Sequence, residues 1–236
     1  MLVQALIAMT LGVGLAFWKS ALLFQILEEP FHRAMSHFPQ VEAQTSSLKT
    51  LIPIEAFMIN MKLATAAGLV LASPFILWRI WVFVVPALKP TERVAILLVL
   101  TMGLFFFIGG ICFSYFLVIP LALEFLLRYN LDYQLIPVWT LQGYFDFTLN
   151  FSLVFGVLFE LPLVLAGLAA TGIATPQYLA QKRKHAILAI FILAAIVAPS
   201  ADPVTQTIVA VPLVVLYEVG IWLSWLVVRR KKIGTA

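Results

Sequence analysis

Glu160 is the one carboxylate in the stretch Phe147 to Gln181, which otherwise carries no charge, and it sits inside the run Phe155-Gly156-Val157-Leu158-Phe159-Glu160-Leu161-Pro162. An acidic group near the middle of a membrane span costs about 3 kcal/mol on insertion scales, so it faces a polar cavity or a partner rather than lipid. Pro162 removes a backbone donor and leaves the Leu158 carbonyl without its helical partner, which predicts a bend and a locally polar backbone. That chemistry suits a visiting hydrogen-bonding group. Catalysis has no comparable signature. His32, His37 and His185 are isolated and lack metal-ligand spacing, and no His-Glu-x-x-His run, serine-histidine pair or aspartate dyad falls within an apolar stretch. The reading is therefore of a non-enzymatic protein with no cofactor and no metal. Cys112 is the lone cysteine, excludes an intrachain disulfide, and is expected as a small core residue.

The elements that must position Glu160 follow from composition. With 63% hydrophobic and 11% charged residues in a chain of 236, and a mean hydropathy of +1.04, there is too little polar surface to coat a water-soluble globule. Uncharged runs occur at Met1 to Trp18, Leu63 to Trp78, Val94 to Leu123, Phe147 to Phe159 and on past Glu160, Ala186 to Ala201, and Pro203 to Tyr217. These predict an all-α integral membrane protein with six transmembrane helices, because a helix satisfies its own backbone in lipid and no alternating strand pattern is present. The first run lacks a basic leader and a cleavage site and is read as a retained helix.

Charge gives the orientation. The tail Arg229-Arg230-Lys231-Lys232 marks its side as cytoplasmic, and an even number of spans puts the N terminus there too. Lys182-Arg183-Lys184, Lys89 and Arg93 then also face inward, whereas Glu28, Glu29, Glu42, Asp132 and Asp202 face outward. The formal charge of +4 reflects this topology and contact with the inner leaflet, not a nucleic-acid partner.

Pro53 to Pro86 would run roughly 50 Å as a helix against a hydrocarbon core of about 30 Å, while Lys184 to Pro199 would reach only roughly 24 Å. Local bilayer thinning is expected at the short span. Pro74, Pro120 and Pro162 fall inside the second, third and fourth spans and predict bends. Long bent helices beside short ones imply a concave, glove-like wall. Residues 22–53 form the sizeable extramembrane segment, with Ile26, Leu27, Phe31, Met35 and Phe38 giving amphipathic helical texture around Pro30. The segment is expected to cap the outer side of one polytopic domain spanning residues 1–236.

The motifs then line up with a family. Leu51-Ile52-Pro53-Ile54-Glu55-Ala56-Phe57, Trp81-Val82-Phe83-Val84-Val85-Pro86-Ala87-Leu88 with Glu92-Arg93, and Phe107-Ile108-Gly109-Gly110 with Tyr115-Phe116 and Pro120 resemble the TatC family, the multispanning receptors of the twin-arginine protein translocase. Phe155-Gly156 with Phe159-Glu160 and Pro162, the short loop with Asp202 and Gln206, and Pro212 with Leu216-Tyr217-Glu218 continue the match in order. Two departures stand out. The sequence enters apolar residues at Met1-Leu2, where the family usually has a segment resembling His-Leu-x-Glu-Leu-Arg-x-Arg-Leu, and Pro199-Ser200-Ala201-Asp202 replaces a Thr-Pro-Pro-Asp pattern.

The resemblance implies a receptor in the bacterial cytoplasmic membrane that binds twin-arginine signal peptides of folded precursor proteins. It also implies assembly, as an oligomer, with single-span TatA and TatB partners for export driven by the proton-motive force. Glu92 resembles the carboxylate that meets the twin arginines, with Phe83, Pro86, Leu88 and Arg93 around it. A carboxylate takes a guanidinium in a bidentate geometry that lysine reproduces poorly. Glu160, Asp202, Gln206 and Glu218 resemble intramembrane and partner-helix positions.

Plainer roles stand beside these. Glu92 reads as a loop charge offsetting Lys89 and Arg93, Asp202 as an N-cap for the last helix, and Glu218 and Arg79 as interfacial residues that snorkel. A proton-coupled small-solute carrier would use Glu160, Asp202 and Glu218 as a relay, but it would commonly show paired broken helices in two related halves, and no such repeat is visible.

Overall fold

The computed structural model describes residues 2–39, 47–84, 90–135, 137–197 and 202–233. They are helical throughout: α1 (Leu2–Trp18), α2 (Ser20–Ser36), α3 (Glu55–Val84), α4 (Pro90–Phe113), α5 (Ile119–Asp132), α6 (Leu141–Leu158), α7 (Leu161–Thr171), α8 (Pro176–Gln181), α9 (Arg183–Val197) and α10 (Pro203–Ile233). Among the described residues there is no strand, and the one isolated β-bridge pairs Lys49 with Thr140. The described part of each predicted apolar run is helical apart from the turn at Phe159 and Glu160. Four stretches are long and apolar enough to cross a membrane: Glu55–Ile76, Leu100–Asp132, Leu141–Thr171 and Pro203–Arg229. Met9–Trp18 with Ser20–Ser36 makes a fifth if taken as one span bent by 75°. At 15 residues, α9 reaches only about 22 Å, so length alone does not establish the sixth.

The chain forms two compact units, residues 1–104 with 111–153, and residues 105–110 with 154–236. In the first, α1 lies against α3. Glycine permits the approach, since a Cβ on Gly12 would stand 2.8 Å from the Gly68 carbonyl oxygen, and one on Gly68 would stand 2.6 Å from the Val13 amide nitrogen. The core gathers Phe31, Met35, Ile59, Leu63, Tyr144 and Phe145, all buried. Phe31 meets the Tyr144 ring edge-on at 5.3 Å, and Phe24 lies 4.7 Å from Phe145. In the second unit α10 packs along α7, with Gly220 close to Leu165 and Pro162.

Each helical proline orphans the carbonyl four residues earlier, and the chain treats three such sites differently. Pro74 frees the Val70 carbonyl, to which the Ser73 hydroxyl donates at 2.6 Å. Pro30 frees the Ile26 carbonyl, which accepts from the distant Tyr115 hydroxyl. Pro120 would leave the Phe116 carbonyl exposed inside the helix. There the backbone widens into a π turn, Ser114–Val118, with the Ile119 amide donating to the Ser114 carbonyl. The bend expected at Pro120 is thus a bulge that precedes it.

We predict that Tyr115→Phe costs about 1 kcal/mol of stability, the net worth of one hydrogen bond, and costs much less when combined with Pro30→Ala, which restores the missing amide. A double-mutant cycle read by thermal unfolding checks this, and simple additivity would refute the pairing.

Candidate functional site

Glu160 lies at a break. Helix α6 ends at Leu158 and α7 starts at Leu161, with Pro162 in its first turn, where proline's missing amide is no loss. The sequence predicted a bent helix at Pro162; the structure has a two-residue turn just before it, within the one apolar stretch Leu141–Thr171. The Phe159 amide still donates to the Phe155 carbonyl at 2.9 Å, but the Glu160 amide takes the tighter route to the Val157 carbonyl at 3.1 Å. The Glu160 carbonyl then receives the amides of Leu163 and Val164, both at 3.0 Å. Its side chain is half-buried and forms no hydrogen bond or ion pair with any described residue. Gly110 supports the break, because a Cβ there would collide with the Phe155 carbonyl.

The other polar positions of that unit are engaged. Asp202 is the N-cap of α10, its Oδ1 accepting from the Thr205 amide at 2.7 Å, as the plainer sequence reading held. The Gln206 side-chain Nε2 donates to the Phe191 carbonyl at 2.8 Å, tying α10 to α9. Glu218 receives the Arg183 fork bidentately, at 2.7 Å from Nε and 2.9 Å from Nη2. This hydrogen bond, reinforced by the carboxylate's charge, holds the Arg183 guanidinium above its ordinary pKa. A proton relay through Glu160, Asp202 and Glu218 therefore finds two of its members already bonded.

The expected signal-peptide residues are placed in part. Pro86 and Leu88 lie outside the described residues. Phe83 falls in the last turn of α3, and Glu92 and Arg93 fall in the first turn of α4. Glu92 was expected in a loop. Pro90 starts the helix earlier, since its fixed φ suits the first helical position. Cys112, expected in the core, is exposed and faces an apolar hollow of about 430 Å³ that also meets Ile26, Leu63, Val70 and Leu153.

Sequence reasoning missed two arrangements. Glu55 is buried and acts as a clasp, its Oε2 accepting from the Leu51 amide at 2.7 Å and from Ile52 at 3.4 Å, and its Oε1 from the Gln142 amide at 2.6 Å. The Lys49 and Leu141 backbones bond beside it. Lys62 reaches both carboxylate oxygens of Asp146, at 2.7 and 3.0 Å. The signal for that pair was available: each charge immediately precedes an uncharged run, Leu63 onward and Phe147 onward.

These features define a polytopic helical membrane protein with an acidic residue at a break inside one span. Its relatives are specific. The family model for the Sec-independent protein translocase protein TatC matches residues 1–212. The TatC protein of Aquifex aeolicus (strain VF5) is 39% identical over 232 residues, covering 98% of this chain and 92% of that one. That of Carboxydothermus hydrogenoformans is 38% identical over 223 residues, covering 94% and 87%. A crystal structure of the twin-arginine translocase receptor TatC superimposes with a TM-score of 0.78 at 37% identity, covering 96% of each chain. The chain belongs to the TatC family of Sec-independent protein translocase proteins. That membership makes it a membrane transport component and not an enzyme in the catalytic sense.

Proposed function

We propose that this protein is the membrane receptor of a twin-arginine translocation system, binding the twin-arginine signal peptides of folded precursor proteins. The observation that carries the reading is its likeness, along 96% of its length, to a twin-arginine translocase receptor. In this reading it sits in the bacterial cytoplasmic membrane with both termini inside and assembles with TatA- and TatB-type single-span proteins. The cytoplasmic ends of α3 and α4, with Phe83, Pro86, Leu88, Glu92 and Arg93, receive the signal peptide. Glu160 receives a polar group of a partner helix. Gln206, Asp202 and Glu218 keep α10 in place for that docking, which fits their bonds within the chain.

Photocrosslinking probes at Phe83 and Glu92 test the recognition surface. A carboxylate–guanidinium contact contributes about 1.5 to 3 kcal/mol, so Glu92→Gln is expected to weaken capture of a twin-arginine precursor about tenfold or more. Membrane insertion should be unchanged. Undiminished crosslinking in Glu92→Gln would remove Glu92 from the site.

A further inference from the structure

Along α1, Ile7, Leu11 and Leu15 form an exposed stripe at four-residue spacing, and along α3 a second stripe runs from the exposed Leu71 and Phe75 to the half-buried Arg79. The backbone contact at Gly12 and Gly68 holds the two helices so close that the stripes become the walls of one groove of about 560 Å³, with Gly12 and Ala72 on its floor. Two helical turns separate Leu71 from Arg79, so the groove is about 12 Å long. Everything along it is apolar except its end. There the Arg79 guanidinium lies 5.0 Å above the Phe75 ring, which anchors its position without using its donors. Its Nε is buried and has no hydrogen-bond partner among the described residues.

The half-buried Arg79 has no ion pair or hydrogen bond with any described residue, so its terminal nitrogens keep their donors for a visitor, and charge complementarity names what would satisfy them. We propose that this groove binds an anionic phospholipid, the phosphate accepting from Arg79 and an acyl chain lying along Phe75, Leu71 and Leu11. Arg79 lies three residues past the apolar stretch Glu55–Ile76, at the end of α3 opposite the Glu55 clasp, where a span's first basic residue meets lipid headgroups. Phosphate presents oxygens in the fork geometry that arginine matches. A zwitterionic lipid would offer the same oxygens together with a competing ammonium. The proposal rests on membrane insertion alone and is independent of signal-peptide recognition.

Trp78, adjacent to Arg79 and exposed, is a built-in reporter. With the chain's other tryptophans replaced by Phe, the full-length protein is reconstituted in vesicles carrying brominated phosphatidylglycerol or brominated phosphatidylcholine. Bromine on phosphatidylglycerol should quench Trp78 with an apparent affinity about fivefold higher, the preference expected for one basic residue at the surface. Arg79→Gln should abolish that preference, and Lys184→Gln should leave it intact. Native mass spectrometry of the protein with all its tryptophans, in which Arg79→Gln loses a retained phosphatidylglycerol, gives the same answer without the replacements. Equal quenching by both lipids, quenching by neither because a protein helix covers the groove, or an equal loss in Lys184→Gln would each overturn the site.

Discussion

Replacing Glu55 with alanine is expected to lower the unfolding midpoint by roughly 5 °C and to expose the segment before α3 and the start of α6 to exchange. Glu55 is buried and accepts three backbone amides, two from the segment that precedes α3 and one from the start of α6. Alanine removes the acceptor from all three donors, and each lost hydrogen bond costs about 1 kcal/mol. Glu55→Gln should be intermediate, because an amide side chain presents an acceptor at one end and a clashing donor at the other. Hydrogen exchange distinguishes a clasp from general loosening: the amides of Leu51 and Gln142 should lose protection first. If Gln142 exchanges in Glu55→Ala as slowly as in the parent, the clasp is not what holds α6 to the α3 entry.

The second large effect is expected at Glu160. We predict that Glu160→Ala retains folding and precursor capture but loses crosslinking to the partner helix, with transport falling at least tenfold. The motivation is the half-buried carboxylate at the α6–α7 break, with no side-chain partner among the described residues. Under the proposed docking its removal strands the polar group of the visiting helix in an apolar surrounding, a loss of about 1 to 2 kcal/mol in membrane helix pairs. Glu160→Gln should retain much of the contact, since a hydrogen bond rather than a charge is required. Transport at the parental rate in Glu160→Ala would reduce the residue to a local irregularity of the span.

Much of this was legible in the sequence because membrane helices are written in long apolar runs, and the described part of each run is helical, interrupted only by the turn at Phe159 and Glu160. Asp202 was legible as a cap because Pro203 follows it, fixing the first turn of α10. Other features depend on distance in the chain. Glu55 meets Gln142 and Lys62 meets Asp146 across more than 80 residues, and no local periodicity encodes such partners. The prolines foretold disturbance but not its form. Whether a carbonyl is answered by a neighbouring serine or a remote tyrosine depends on what packs beside it. Cys112 was misplaced for a related reason: a small apolar residue fits a core and the wall of a hollow equally well, and the sequence does not say which face of α4 is covered.

The handling of those prolines bears on how one helix recognises another in a bilayer. A bent span ordinarily advertises bare carbonyls, and in a medium without water any such group attracts passing donors indiscriminately. Here the carbonyls of Val70 and Ile26 are silenced from within. The background of stray polar attraction is low on those stretches, and under the proposed docking a single carboxylate at position 160 would serve as an address rather than as one polar spot among several.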